Sequence, residues 1–213
     1  MNPPPSGAGF SCHGTTADGP HFPSDGGYHM LDPRDCILYS GGATGTEAHF
    51  GGIAEKYGLE EVNYSFEGHQ IERTRGVRVL TSEELALKDV SLTYVSRLMN
   101  RQYTRAPLFR KVLQSICWQV SCGHEVWVVG SIQEDDTVTG GTGWGAEFAK
   151  ICNKPLYVFD QTRNGWYMWD KSAWSPVSEP RIGHRHFTAT GTRFLEDNGR
   201  AAIEALFARS FNV

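Results

Sequence analysis

The feature that most constrains this chain is one glycine pattern used twice, each time between an apolar run and an amphipathic stretch. Gly41, Gly45 and Glu47 form a Gly-x-x-x-Gly-x-Glu motif, and Gly141, Gly145 and Glu147 repeat it. The first copy follows Cys36-Ile37-Leu38-Tyr39 and precedes Phe50, Ile53, Ala54 and Tyr57. Those four are spaced i, i+3, i+4, i+7, as one buried helix face requires. Gly58 stands where a left-handed cap belongs, and residues 62–66 read as a strand. The second copy follows a β-branched run from Glu125 to Ile132. It precedes a helix with Phe148, Ile151 and Cys152 inward, then a strand over 154–161. Strand, glycine loop, helix, strand is a βαβ unit. Two such units predict an α/β, Rossmann-like three-layer fold, a mostly parallel sheet flanked by helices.

The segment between the units reads as helical. Thr81 and Glu84 have capping-box spacing ahead of Leu85, and Ser91 is a candidate cap for a helix carrying Leu92, Val95 and Met99. Phe109, Val112, Leu113, Ile116 and Val120 make the clearest amphipathic stripe, with Arg110, Lys111, Gln114 and Gln119 on the other face. Asn164-Gly165 signals a type I′ turn, which returns through residues 166–169 as a small antiparallel hairpin at the sheet edge. Residues 187–193 read as a strand running into a loop, ahead of a last helix with Ile203, Leu206 and Phe207 inward. Residues 1–34, with Pro3-Pro4-Pro5 and almost no aliphatic side chains, read as a flexible tail, and 35–213 as a single Rossmann-like domain.

Composition excludes several classes. Glycine accounts for 24 of 213 residues, above the usual share of about 7%, so the chain is loop-rich. No run of about 18 apolar residues exists, which argues against a membrane partner, and the N-terminus lacks a secretory pattern. A net charge of −4 argues against sequence-independent nucleic-acid binding. Cys12, Cys36, Cys117, Cys122 and Cys152 are odd in number and irregularly spaced, so a reducing, cytoplasmic location is expected. Neither Cys117-Cys122-His124 nor His184-x-His186 has a second ligand pair, so no metal and no cofactor are expected.

Both glycine loops open helices, where sharp turns, close backbone approach and free amides favour an anion. In a parallel sheet they gather at the carboxyl ends of the strands. Neither is a P-loop, because no Gly-Lys-Ser/Thr follows, and neither has the G-x-G-x-x-G dinucleotide pattern. Glu47 and Glu147 suit the helix dipole at a first turn. They equally suit ribose hydroxyls, or positive charge developing at an anomeric carbon. Ser40 is a candidate phosphate donor, Trp144 a base-stacking ring, and Asp160 either a strand-end functional acid or a cap of the hairpin turn. Arg73, Arg75 and Arg78 are either a solvated face or phosphate contacts.

At these loops the chain resembles the SLOG superfamily, the Rossmann-like group containing the Lonely Guy phosphoribohydrolases and the DNA-processing Smf-type proteins. Ser40-Gly41-Gly42-Ala43-Thr44-Gly45-Thr46-Glu47 is similar to its strand-end S-G-G-A-x-G-[AT]-[DE] segment. Gly140-Gly141-Thr142-Gly143, followed by Glu147, is similar to the phosphoribohydrolase P-G-G-x-G-T-x-x-E motif. Here Thr139 replaces the proline and Trp144 the threonine, and the segment between Arg110-Lys111 and this motif is longer than in typical members. Thr190-Gly191-Thr192-Arg193 resembles the superfamily's G-[ST]-R loop at an unusually late position, which points to a rearranged strand order or a chance match. The resemblance implies a nucleotide ligand, with phosphate held by Ser40, Gly41, Gly42, Thr44, Gly45, Gly140, Gly141, Thr142 and Gly143, and with Arg193 beside it. It implies hydrolysis of the N-glycosidic bond of a nucleoside monophosphate, with Glu147 and Arg110 catalytic and Glu47 on the ribose. A homodimer is also implied. The alternatives are a non-catalytic nucleotide sensor or carrier, and a single-stranded DNA-handling protein.

Overall fold

A computed structural model describes residues 31–103 and 106–211. Most of the expected tail, and Cys12 with it, lies outside these residues. From Leu31 the chain already packs on the core, and Pro33–Asp35 form a 3-10 turn capped by Asp32. The elements are β1 (Ile37–Ser40), α1 (Thr46–Tyr57), β2 (Glu60–Phe66), β3 (Val77–Leu80), α2 (Ser82–Ala86), α3 (Asp89–Leu98), α4 (Pro107–Cys122) and β4 (Glu125–Gly130). Then follow α5 (Thr142–Ile151), β5 (Leu156–Asp160), β6 (Gly165–Trp169), β7 (Trp174–Val177), β8 (His186–Gly191) and α6 (Asp197–Ser210).

The strands form one sheet in the order β3-β2-β1-β8-β4-β5-β6-β7. The first six are mutually parallel, and β6 and β7 add an antiparallel hairpin at one edge. The expected α/β three-layer architecture is what the chain adopts. Period-two burial sorts β4 between two cores: Trp127 and Val129 face α1 and α6, with Phe50, Ile53, Ile203 and Phe207. Val126 and Val128 face α3, α4 and α5, with Leu92, Val95, Leu113, Ile116 and Val120.

Several local expectations need correction. β3 and β7 are additional short strands, so β7 rather than β6 is the outer edge of the hairpin. Its loop is four residues, 161–164: Asn164 takes a φ of 53°, whereas Gly165 has no positive φ and pairs with Asp160 as the first residue of β6. Ser91 does not cap α3, which begins two residues earlier after Lys88. Ile151 and Cys152 are exposed because α5 runs out of covering structure at its last turn. Phe109 is also exposed, while Gln114 and Gln119, expected on the polar face of α4, are buried. By contrast the Thr81–Glu84 capping box and the left-handed cap at Gly58 form as their spacing requires.

The late strand β8 lies between β1 and β4. Its Thr188 hydroxyl donates to the Gln119 carbonyl of α4, and Gly123 makes room for it, since a Cβ there would lie 2.3 Å from Thr188 Oγ1. The turn leading into β8 is held by Glu125, which accepts the amides of Gly183 and His184 at 2.9 and 3.1 Å. Burial pushes the Glu125 carboxyl from 4.5 up to about 7. A raised carboxyl stabilises the fold fully below its unfolded pKa, and that contribution is lost as pH rises through the folded value. Thermal stability is therefore expected to fall between about pH 4.5 and 7, by at most about 3 kcal/mol from this group. Glu125→Gln should flatten that part of the slope in melts at pH 5 and 8; an unchanged slope would show that the buried carboxyl carries none of it.

Candidate functional site

β1, β8 and β4 run parallel and adjacent, so the loops that leave them emerge at one edge of the sheet. The helices after β1 and β4, α1 and α5, pack on opposite faces. In open α/β sheets this divergence marks the ligand crevice. Here β8 and its exit loop stand in that crevice.

The first glycine loop is bound tightly to the β8 exit. Thr46 donates its amide and its hydroxyl to the Thr192 carbonyl, at 3.1 and 2.8 Å. Gly45 has φ 92° and ψ −120°, and a Cβ there would come 2.4 Å from the Arg193 carbonyl oxygen. On the other side the Gly42 carbonyl accepts the amides of Glu72 and Arg73, at 2.9 and 3.0 Å. The amides of Gly42, Thr44 and Gly45 donate to nothing among the described residues. Thr44 is exposed here, and so is Arg193, whose backbone meets Gly45 and whose guanidinium lies 5.8 Å from the Phe194 ring centroid.

Glu47 faces back into this loop. One carboxylate oxygen accepts the Ala43 amide at 3.0 Å, and the other accepts the Thr190 hydroxyl of β8 at 2.7 Å. Burial pushes its carboxyl above the ordinary glutamate value, while the Thr190 hydroxyl and the Ala43 and Gly41 amides oppose that rise. Its geometry is that of a positioning residue that clamps the loop to β8. Ser40 likewise spends its proton on the Ala189 carbonyl, at 3.0 Å, rather than presenting it to the loop. Two buried acceptors flank the loop without a partner among the described residues: Gln119 Oε1 of α4 and Asn63 Oδ1 of β2. Gly41 is glycine because a Cβ would sit 2.6 Å from Gln119 Nε2, and a Cβ on Gly42 would lie 3.3 Å from Asn63 Oδ1. Nothing in the local pattern marks these two amides, since their burial depends on the glycines they meet.

The second motif is built differently. α1 begins at Thr46, which leaves Glu47 in the first turn, but α5 begins at Thr142 and takes Gly143, Gly145 and Glu147 into the helix body. Gly143 and Gly145 serve packing, since Cβ atoms there would come 2.0 Å from the Val138 carbonyl and 2.7 Å from Ile116 Cγ2. Gly140, with φ 69°, faces open space, and Gly141 precedes α5 against the Phe109 ring. Trp144 is only 4% exposed, its ring centroid 5.9 Å from that of Tyr103, so it belongs to the core and offers no face to a base. Glu147 pairs with Lys150 at 2.7 Å. The Lys150 ammonium lies 3.8 and 4.9 Å from the ring centroids of Trp169 and Trp174 under the β6–β7 hairpin. Glu47 and Glu147 therefore share no hydrogen-bond or ion-pair partner.

The remaining candidates are held by structural partners. Arg110 pairs with Asp89, over the Tyr103 ring. Asp160 caps the hairpin turn, accepting the amides of Ile132, Thr162 and Arg163. Arg73 and Arg75 pair with buried Glu61, and Arg78 pairs with Glu84. Arg101, which carries no motif, fixes the loop after β4 by donating to the Val138 carbonyl and the Thr137 hydroxyl. One surface depression is lined by Ala48, Glu55, Glu72, Arg73, Thr74 and Arg75, directly beside the first loop. Another is lined by Phe66, Val79, Leu80, Leu85 and Lys111 among others. Neither is lined by a glycine of either motif. Among the described residues no group of three His, Cys, Asp or Glu side chains is arranged to hold a metal ion. No helix there is long and apolar enough to cross a membrane. No family model, curated protein or solved structure matches the chain.

Proposed function

We propose that this chain binds a nucleotide or nucleotide-derived anion on the first glycine loop, as a sensor or carrier. The observation that carries this reading is the set of undonated amides at Gly42, Thr44 and Gly45, at the start of α1, with exposed Arg193 on the loop clamped beside them. Amides and dipole at a helix start favour a phosphate, and a guanidinium reinforces it with charge-assisted bonds. The depression beside the loop supplies Glu55 and Glu72 as acceptors for ligand hydroxyls or amines. Binding without bond cleavage is the better-supported form, because Glu47 is committed to the loop and Thr190 while Glu147 is committed to Lys150 under the hairpin.

Titration of the purified protein with a panel of nucleoside mono-, di- and triphosphates and the matching nucleosides tests this. Phosphate-bearing ligands should bind and the nucleosides should not. Arg193→Ala should weaken binding about tenfold, the worth of one charge-assisted hydrogen bond. Binding of none of the panel would overturn the reading. Release of free base that disappears in Glu147→Ala would replace it with N-glycosidic hydrolysis.

A further inference from the structure

The second depression lies at the carboxyl ends of β2 and β3, and no glycine of either motif lines it. Its volume of about 310 Å³ is at the lower end of ligand-sized sites. Its apolar lining comes from Phe66 and Leu80, the last residues of the two strands, and from Leu85 of α2, all three buried. The Phe66 ring is held by His69, stacked on it with centroids 4.4 Å apart, and His69 Nδ1 is bonded to the Ser65 hydroxyl at 3.3 Å. The apolar floor is thus built into the fold and needs no ligand to form.

Two charged residues line the hollow. Lys111 of α4 is half-buried, with its ammonium 5.8 Å from the Phe66 ring centroid. It makes no hydrogen bond or ion pair among the described residues. α4 has no acidic residue in its first turn, so neither a helix neighbour nor the helix dipole offsets this charge. An ammonium drawn from water toward an apolar floor gains most from an anion placed beside it. Glu67, exposed just after β2, is the one acidic residue of the lining. Glu84 of α2 is already spent on Arg78 and the Thr81 amide. Thr81 and Ser82 complete the polar side with hydroxyl donors. We propose that this hollow binds a small monocarboxylate with an apolar body. The carboxylate sits on Lys111 and the two hydroxyls, and the hydrocarbon lies against Phe66, Leu80 and Leu85. A dianion such as a phosphate monoester finds only one cation here, with the Glu67 carboxylate in the same lining, so the charge balance selects a single negative charge.

Hydrocinnamate, a phenyl ring on a short carboxylate chain, is the probe, titrated into the full chain and followed by backbone amide NMR. The amides of Thr81, Ser82 and Leu85 should shift, while those of Gly42, Thr44 and Gly45 stay in place. Acetate lacks the apolar body and hydrocinnamyl alcohol lacks the charge, so each should bind at least about tenfold more weakly. Phenyl phosphate should also bind more weakly than the carboxylate. Lys111→Met should lower the affinity for hydrocinnamate about tenfold, the worth of one charge-assisted hydrogen bond, with an unchanged circular dichroism spectrum. Lys111→Arg should keep most of the affinity. Absence of shifts at Thr81, Ser82 and Leu85, an alcohol or phosphate that binds as tightly as the acid, or full affinity in Lys111→Met would each overturn the proposal.

Discussion

Glu61→Ala is expected to destabilise the fold by about 3–5 kcal/mol, the usual cost of leaving a buried charge without its partner. Glu61 sits on β2 with its side chain 1% exposed. Its oxygens accept Arg73 Nε at 2.6 Å, Arg73 Nη2 at 2.5 Å, Arg75 Nη1 at 2.9 Å and Asn63 Nδ2 at 3.2 Å. Arg73 reaches this carboxylate across α1 at Gly51, where a Cβ would stand 2.3 Å from its side chain. Removing Glu61 leaves a guanidinium beneath a helix with only exposed Glu55 to balance it. The Arg73 amide also holds the Gly42 carbonyl. Ligand affinity at the first loop should therefore fall together with stability. Urea denaturation checks the first effect and nucleotide titration the second. A loss below about 1 kcal/mol would place the network among ordinary surface pairs.

Gly45→Ala should cost about 3 kcal/mol and abolish ligand binding. Its φ of 92° with ψ of −120° is a conformation that alanine adopts only under strain. The added methyl would meet the Arg193 carbonyl at 2.4 Å, and a backbone group cannot rotate away as a side-chain tip can. Relief requires parting the first loop from the β8 exit, which breaks the Thr46–Thr192 bonds and displaces Arg193. Gly140→Ala is the informative control. It too has positive φ, at 69°, but a Cβ there meets nothing within 4 Å. It should cost only about 1 kcal/mol and leave binding intact. Equal effects of the two substitutions would mean that backbone strain, and not the contact with β8, sets the loop's importance.

Much of the fold was readable locally. Phe50, Ile53 and Ala54 showed one helix face, the β-branched run from Glu125 to Ile132 a strand, and Thr81 with Glu84 a helix start. These are short-range periodicities and caps, whose physics lies within a few residues. The short strand β3 was missed because only four residues pair, on an exposed edge where Val77 and Val79 remain in water. β7 was missed for a similar reason, being four residues with a proline inside.

The candidate site was readable as a pair of loops but not as an arrangement. By itself the sequence determined that two βαβ units form, that glycine loops end β1 and precede α5, and that both carry a glutamate at the same spacing. Only the tertiary structure decided that β8 enters between β1 and β4, so that Thr190 meets Glu47 and Arg193 lies against Gly45. It also decided that the second glutamate is turned to Lys150 beneath the hairpin. The physical reason is that spacing along a chain reports neighbours within a turn of helix or a step of strand. Which carboxylate meets which partner depends instead on contacts more than a hundred residues apart, such as Glu47 with Thr190. It depends too on where each helix begins, at Thr46 in one unit and at Thr142, five residues ahead of the matching glutamate, in the other.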